Sequence, residues 1–327
     1  MQRFNCPACG SRVYFHNQAC MCGQNLFYDP ETRQMTGGPD GCRMRAVIGC
    51  NWTVEASSRD SHGLCRSCAM SRVIPDLETG PNRALFAKAE RAKRWVLANL
   101  SQWAWFTDAD RGRKPHFLML SEHLVGRSEQ ITMGHAAGEI TINITEADAL
   151  IRLQRQRELG EHYRSMVGHF RHELAHFLFD RLAQAPGFIE GFRSIFGDER
   201  EDYAAALARH YKAPRDPGDA FITGYATAHP HEDWAETVAH LLHLVDFTDS
   251  FVSTGLTMPG LPPGFRPYEE EDTALLLAVG MAVAVAVNDI NRALDNDDLY
   301  PFVLTPEVRR KITFAHGWLR AHDARGA

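Results

Sequence analysis

The run His172-Glu173-Leu174-Ala175-His176 holds three side chains whose types and spacing allow metal chemistry. On an α-helix, residues four apart lie one turn apart on the same face. His172 and His176 can therefore aim two imidazoles at one point, and Zn²⁺ is the usual metal at such a pair. Glu173 follows the first ligand directly, so its carboxylate can reach a water held by that metal. That is where a general base must stand to take the water's proton. The flanking Leu174, Ala175, Phe177 and Leu178 suit a buried active-site helix rather than a solvated one.

Two histidines do not complete a catalytic zinc site, which needs a third protein ligand and an open position. A further histidine six residues after His176 would be one solution, but Leu182 stands there. A carboxylate on a second helix is the remaining common choice. The segment Glu232-Asp233-Trp234-Ala235-Glu236-Thr237-Val238-Ala239-His240 follows Pro230, where helices like to begin. Glu232, Glu236 and His240 are spaced four apart and share a face. Either Glu232 or Glu236 can close the zinc site. The other can accept the N–H of a ligand imidazole and fix its tautomer.

All eight cysteines lie between Cys6 and Cys68. Without a recognisable leader, such clustering argues for metal rather than disulfides. Cys6, Cys9, Cys20 and Cys22 describe a zinc ribbon, with each knuckle closed by glycine. Four thiolates leave no open position, so this site is structural. Cys42, Cys50, Cys65 and Cys68 form a candidate second site. Cys65 and Cys68 make a good knuckle, whereas Cys42 and Cys50 are spaced poorly for one. The alternative is that Cys42 and Cys50 pack as small apolar residues. One catalytic and one or two structural zincs are expected.

The elements that must hold these groups follow from the pattern. The ribbon segment covers residues 1–75, and a second domain covers 84–327. A helix is expected from Ala84, burying Leu85, Ala89, Ala92, Val96 and Leu100. Lys88, Arg91, Lys93 and Arg94 are assigned to its solvated side. Strands are expected at His116–Leu120 and Gly138–Ile144, the latter with an edge open to an extended peptide. The metal helix is expected from about His162 to Leu182. The apolar run from Ala274 to Val287 is too short to span a bilayer and reads as a buried core helix. No internal repeat is evident. The fold class is α+β: a small cysteine-rich segment, then a mostly helical zincin-like domain with a small sheet.

Of the 327 residues, 44% are hydrophobic and 23% charged, with a net charge of −6. Residues 1–80 carry eight Arg and no Lys against seven Asp plus Glu. The basic footprint of a nucleic-acid binder is missing, and bound thiolates make the segment more negative. A cytoplasmic protein acting on a peptide or protein substrate, without membrane or nucleic-acid partner, is the expectation.

The stretch from Tyr225 through His229-Pro230-His231-Glu232 to Glu236 resembles the motif of gluzincins of the anthrax lethal factor type. That resemblance implies Glu232 as third ligand, Glu236 as its support, and Tyr225 as hydrogen-bond donor to the oxyanion. The order of parts along the chain resembles the bacterial family of zinc-binding metallopeptidases with an N-terminal zinc ribbon. The resembling stretches are Phe4–Cys9, Gly138–Ala147, Gly168–Phe177, Phe196–Tyr203 and Tyr225–Val245. Cys20-Met21-Cys22 is one residue shorter than the usual knuckle. The resemblance implies amide hydrolysis. A non-catalytic zinc-binding adaptor and a zinc amidase with a non-peptide substrate are the alternatives.

Overall fold

The computed structural model describes residues 3–38, 41–54, 63–123, 131–159, 165–299 and 303–321. The chain divides into two compact units, one running to Glu173 and the other from Leu174 onward. The division falls inside one continuous helix.

The first unit begins with two short antiparallel hairpins, β1 (Arg3–Asn5) with β2 (Arg12–Tyr14) and β3 (Phe27–Asp29) with β4 (Gln34–Thr36). Two single-turn helices follow, α1 (Arg45–Ile48) and α2 (Arg66–Ala69). A mixed sheet has the order β5 (Ser71–Val73), β6 (His116–Leu120), β8 (Glu139–Asn143), β7 (Gly134–Ala136). β6 runs parallel to β5 and β8, and β7 runs antiparallel to β8. Phe117, Met119, Ile140 and Ile142 are fully buried, so alternation places them on the core side. The strand at 138–144 is paired on both sides, because β7 occupies the edge expected to be open.

α3 (Asn82–Leu100) buries the expected stripe of Leu85, Ala89, Ala92, Val96 and Leu100. Lys93 and Arg94, expected in solvent, are 0% and 2% exposed. Lys93 Nζ lies 2.6 Å from Glu90 Oε1 and 5.0 Å above the Phe117 ring. Its charge is buried because a carboxylate and an aromatic face both meet it there. α4 (Ala149–Leu159) follows the sheet.

α5 (Met166–Leu182) is the metal helix. The expected start near His162 lies outside the described residues, which resume at Ser165. The helix ends before Pro186-Gly187, and α6 (Phe188–Phe196), absent from the sequence reading, packs back as a short aromatic helix. α7 (Tyr203–Lys212) is capped by Asp202, whose side chain accepts from Ala205 N at 3.0 Å.

α8 (Pro230–Ser253) is the central helix of the second unit, contacted by α6, α9 (Thr273–Ala293) and α10 (Pro306–Arg320). Pro230 takes the first helical position, and His229 caps it by accepting from His231 N at 3.1 Å. Phe179, Phe188, Phe192, Phe196, Trp234 and Phe314 form one aromatic core with ring centroids 4.9–6.3 Å apart. Among the described residues, α9 alone is long and apolar enough to cross a membrane. It exceeds the expected 14-residue run because its last turns continue through polar residues. It packs on α8 and α10 and buries Leu276, Leu277, Val283 and Ala284. The expected α+β class, cysteine-rich start and mostly helical remainder are what the structure shows.

Candidate metal centres

The eight cysteines gather into two groups of four: Cys6, Cys9, Cys20 and Cys22, and Cys42, Cys50, Cys65 and Cys68. Knuckles pair in chain order, not crossed. In the first group the Cys6–Cys9 knuckle forms the turn between β1 and β2, and the Cys20–Cys22 knuckle follows β2. Gly10 and Gly23 take left-handed φ of 71° and 87°, which only glycine adopts freely. Sulfur pairs lie 3.6 Å (Cys9, Cys20) and 3.8 Å (Cys6, Cys22) apart. A tetrahedron with Zn–S of about 2.3 Å has an edge of about 3.8 Å. These sulfurs therefore fit one zinc ion, and they are too far apart for disulfides.

The second group is fully buried, and the poorly spaced Cys42 and Cys50 join it. Cys50 Sγ lies 3.7 Å from both Cys65 and Cys68. Backbone amides point inward as well: Cys68 N donates to Cys65 Sγ and Cys65 N to Cys42 Sγ. Hydrogen bonds from Cys50 and the other sulfurs pull the Cys42 thiol down, while burial pushes Cys65 up. Four crowded thiols cannot all ionise by themselves, so this donor set calls for a cation. Burial opposes the charge of Arg94 on α3, but the sulfurs of Cys50, Cys65 and Cys68 favour it. Glu90, one turn back on α3, favours it too, but the sulfurs that complete the setting of Arg94 come from distant segments.

On α5, His172 and His176 stand one turn apart, and Glu232 comes from the first turn of α8. Their ligand atoms lie within 4.8 Å of one another. His176 Nε2 is 3.4 Å from Glu232 Oε1. Glu232 is 1% exposed, and burying a carboxylate charge is costly unless partners meet it. Two imidazoles and one carboxylate are a donor set zinc accepts, with a fourth position left over. Glu173 is 6% exposed on the same turn of α5.

Tyr225 opens a 3₁₀ turn, Tyr225–Thr227, that packs against α8. Burial, then the nearby Glu232 charge, raises its phenol far above the ordinary value, so it keeps its proton. Glu236 accepts from Thr223 Oγ1 at 2.8 Å and lies 3.9 Å from His240 Nε2.

Two neighbours escaped the sequence reading. Tyr203 Oη donates to Glu232 Oε1 at 2.6 Å. His231 stands beside the centre, its ring 4.5 Å from Phe179 and 6.5 Å from His176. Burial, then the His176 charge, holds His231 down at about 4, so it enters as a neutral ring. Its place directly before Glu232 was a signal for it; Tyr203 offered none.

The sequence profile of a family described as "Putative zinc-binding metallo-peptidase" matches residues 82–318. The chain belongs to this family. A zinc-ribbon domain profile matches twice, over residues 3–40 and 39–79. The two four-cysteine groups are thus two copies of one module, where sequence reading finds no repeat. Similar proteins include uncharacterized proteins of Mycobacterium bovis and of two Mycobacterium tuberculosis strains. Each is 35% identical over 326 residues, covering 97% of this chain and 94% of the relative. No solved structure matches the chain.

Proposed function

We propose that this protein is a zinc-dependent peptidase of gluzincin type, with His172, His176 and Glu232 as the ligands of one catalytic zinc. The observation that carries the reading is the meeting of these three side chains within 4.8 Å, beside the buried Glu173. When bound, zinc supplies a Lewis acid that lowers the pKa of a water and polarises a carbonyl. Glu173 takes the proton of the attacking water and passes it to the leaving amine. Tyr225, held neutral, donates a hydrogen bond to the carbonyl oxygen as it gains charge. Glu236, held by Thr223, stands one turn beyond Glu232 on α8 and serves as its support. The substrate is a peptide or protein. The two four-cysteine sites are structural, one zinc each, and eight cysteines without a disulfide suit a reducing, cytoplasmic location. A non-catalytic adaptor has no use for a base or an oxyanion donor.

Glu173→Gln tests the mechanism. The variant keeps its zinc and loses about 10²-fold or more of its hydrolysis of a quenched fluorescent peptide library. Full activity in Glu173→Gln overturns the reading.

A further inference from the structure

We infer that Tyr203 is a positioning residue of the metal centre, its hydroxyl fixing the Glu232 carboxylate in the orientation that meets His172 and His176. The inference rests on the zinc-site reading above and adds a residue that neither the ligand motif nor the ribbon pattern includes.

The hydroxyl of Tyr203 donates to Glu232 Oε1 at 2.6 Å, the same oxygen that lies 3.4 Å from His176 Nε2. A carboxylate oxygen has two lone pairs, so it accepts the phenol proton and still offers one toward a cation. A glutamate has three side-chain torsions to settle. Anchoring one oxygen removes most of that freedom before the metal arrives, which is the usual way supporting groups raise metal affinity.

The phenol is itself held. Tyr203 is the first residue of α7, directly after the Asp202 cap. Its ring stands edge-on to His229, with centroids 5.2 Å apart at 78°. His229 is 3% exposed and caps α8, and its Nε2 lies 3.1 Å from Glu201 O. The starts of α7 and α8 are thereby joined at the residues that carry the phenol and the carboxylate. Tyr203 is 42% exposed, so its ring is not needed to fill the core. Exposure of the ring and engagement of the hydroxyl argue together for a role through Glu232.

Tyr203→Phe removes one oxygen and keeps the ring on His229. The full chain is first stripped of its most weakly held zinc with dipicolinate. Zinc affinity is then read by competition with a fluorescent chelator. The variant is expected to bind that zinc about 10- to 100-fold more weakly than wild type. Zinc in the two four-cysteine sites and the melting temperature of the stripped protein stay unchanged. In a Glu232→Ala background, Tyr203→Phe is expected to change nothing further. An affinity within twofold of wild type overturns the inference, as does a further tenfold loss in the Glu232→Ala background. If His172→Ala/His176→Ala binds as much zinc as wild type, the zinc-site reading fails and this inference with it.

Discussion

Trp234 donates its indole N–H to the carbonyl of Ala175 at 2.9 Å, joining α8 to the metal helix between its two histidines. The indole is fully buried among Phe179, Phe188 and Phe196. Ala175 directly precedes His176 and lies within one turn of His172, while Trp234 lies within one turn of Glu232. One side chain therefore sets the distance between both ligand-bearing elements.

Trp234→Phe removes this hydrogen bond and leaves unfilled space behind the ligands. The expected cost is about 2 kcal/mol, roughly half from the bond and the rest from the cavity. A thermal melt should show a loss of several degrees. A melting temperature equal to wild type would contradict the role given to this contact.

A second buried link holds the start of α8 to α10. Lys311 Nζ lies 2.6 Å from Asp233 Oδ2 and 2.6 Å from the carbonyl of Ala220, with both charged side chains almost fully buried. Breaking such a pair costs more than never having formed it, because the remaining charge is stranded. Lys311→Met is expected to lower stability by about 3–5 kcal/mol in urea denaturation. Asp233→Asn/Lys311→Met should recover part of that loss. A double variant less stable than Lys311→Met would count against the argument.

Local chemistry was legible in the sequence and distant pairing was not. His172, Glu173 and His176 stand within one helical turn, so spacing alone placed them. Glu232 was within reach because a proline, an acidic first turn and an apolar stripe mark its helix. Tyr203 lies 29 residues from Glu232, and only the packing of α7 against the start of α8 brings them together. Lys93 and Arg94 share a local partner in Glu90, but charge predicts exposure until the rest of the surroundings are known, and Phe117 and Cys50 belong to other segments. α6 was missed because Pro186-Gly187 ends α5 so close to it that so short a helix shows too little periodicity. Cys42 and Cys50 fit no standard knuckle, and only the fold gathers them with Cys65 and Cys68.

Acid should loosen the contact between α9 and α10. His316 is 1% exposed, with Nδ1 2.8 Å from Thr273 Oγ1. Burial holds it at about 4, against 6.5 for an ordinary histidine. As pH falls below 6.5 the unfolded chain takes up this proton and the folded chain does not. The stability it contributes is therefore whole above pH 6.5 and is lost as pH drops toward 4. Between about pH 7.5 and pH 5 the wild type should lose about 2 kcal/mol more than His316→Asn. Parallel pH profiles for the two proteins would show that His316 titrates normally.

The most direct test of the account is zinc per chain by elemental analysis, for wild type and for His172→Ala/His176→Ala. The three ligand groups predict about three zinc ions in the wild type and about two in the variant, the four-cysteine sites being untouched. Equal zinc in both proteins would mean that α5 holds no metal, and the peptidase reading would fall with it.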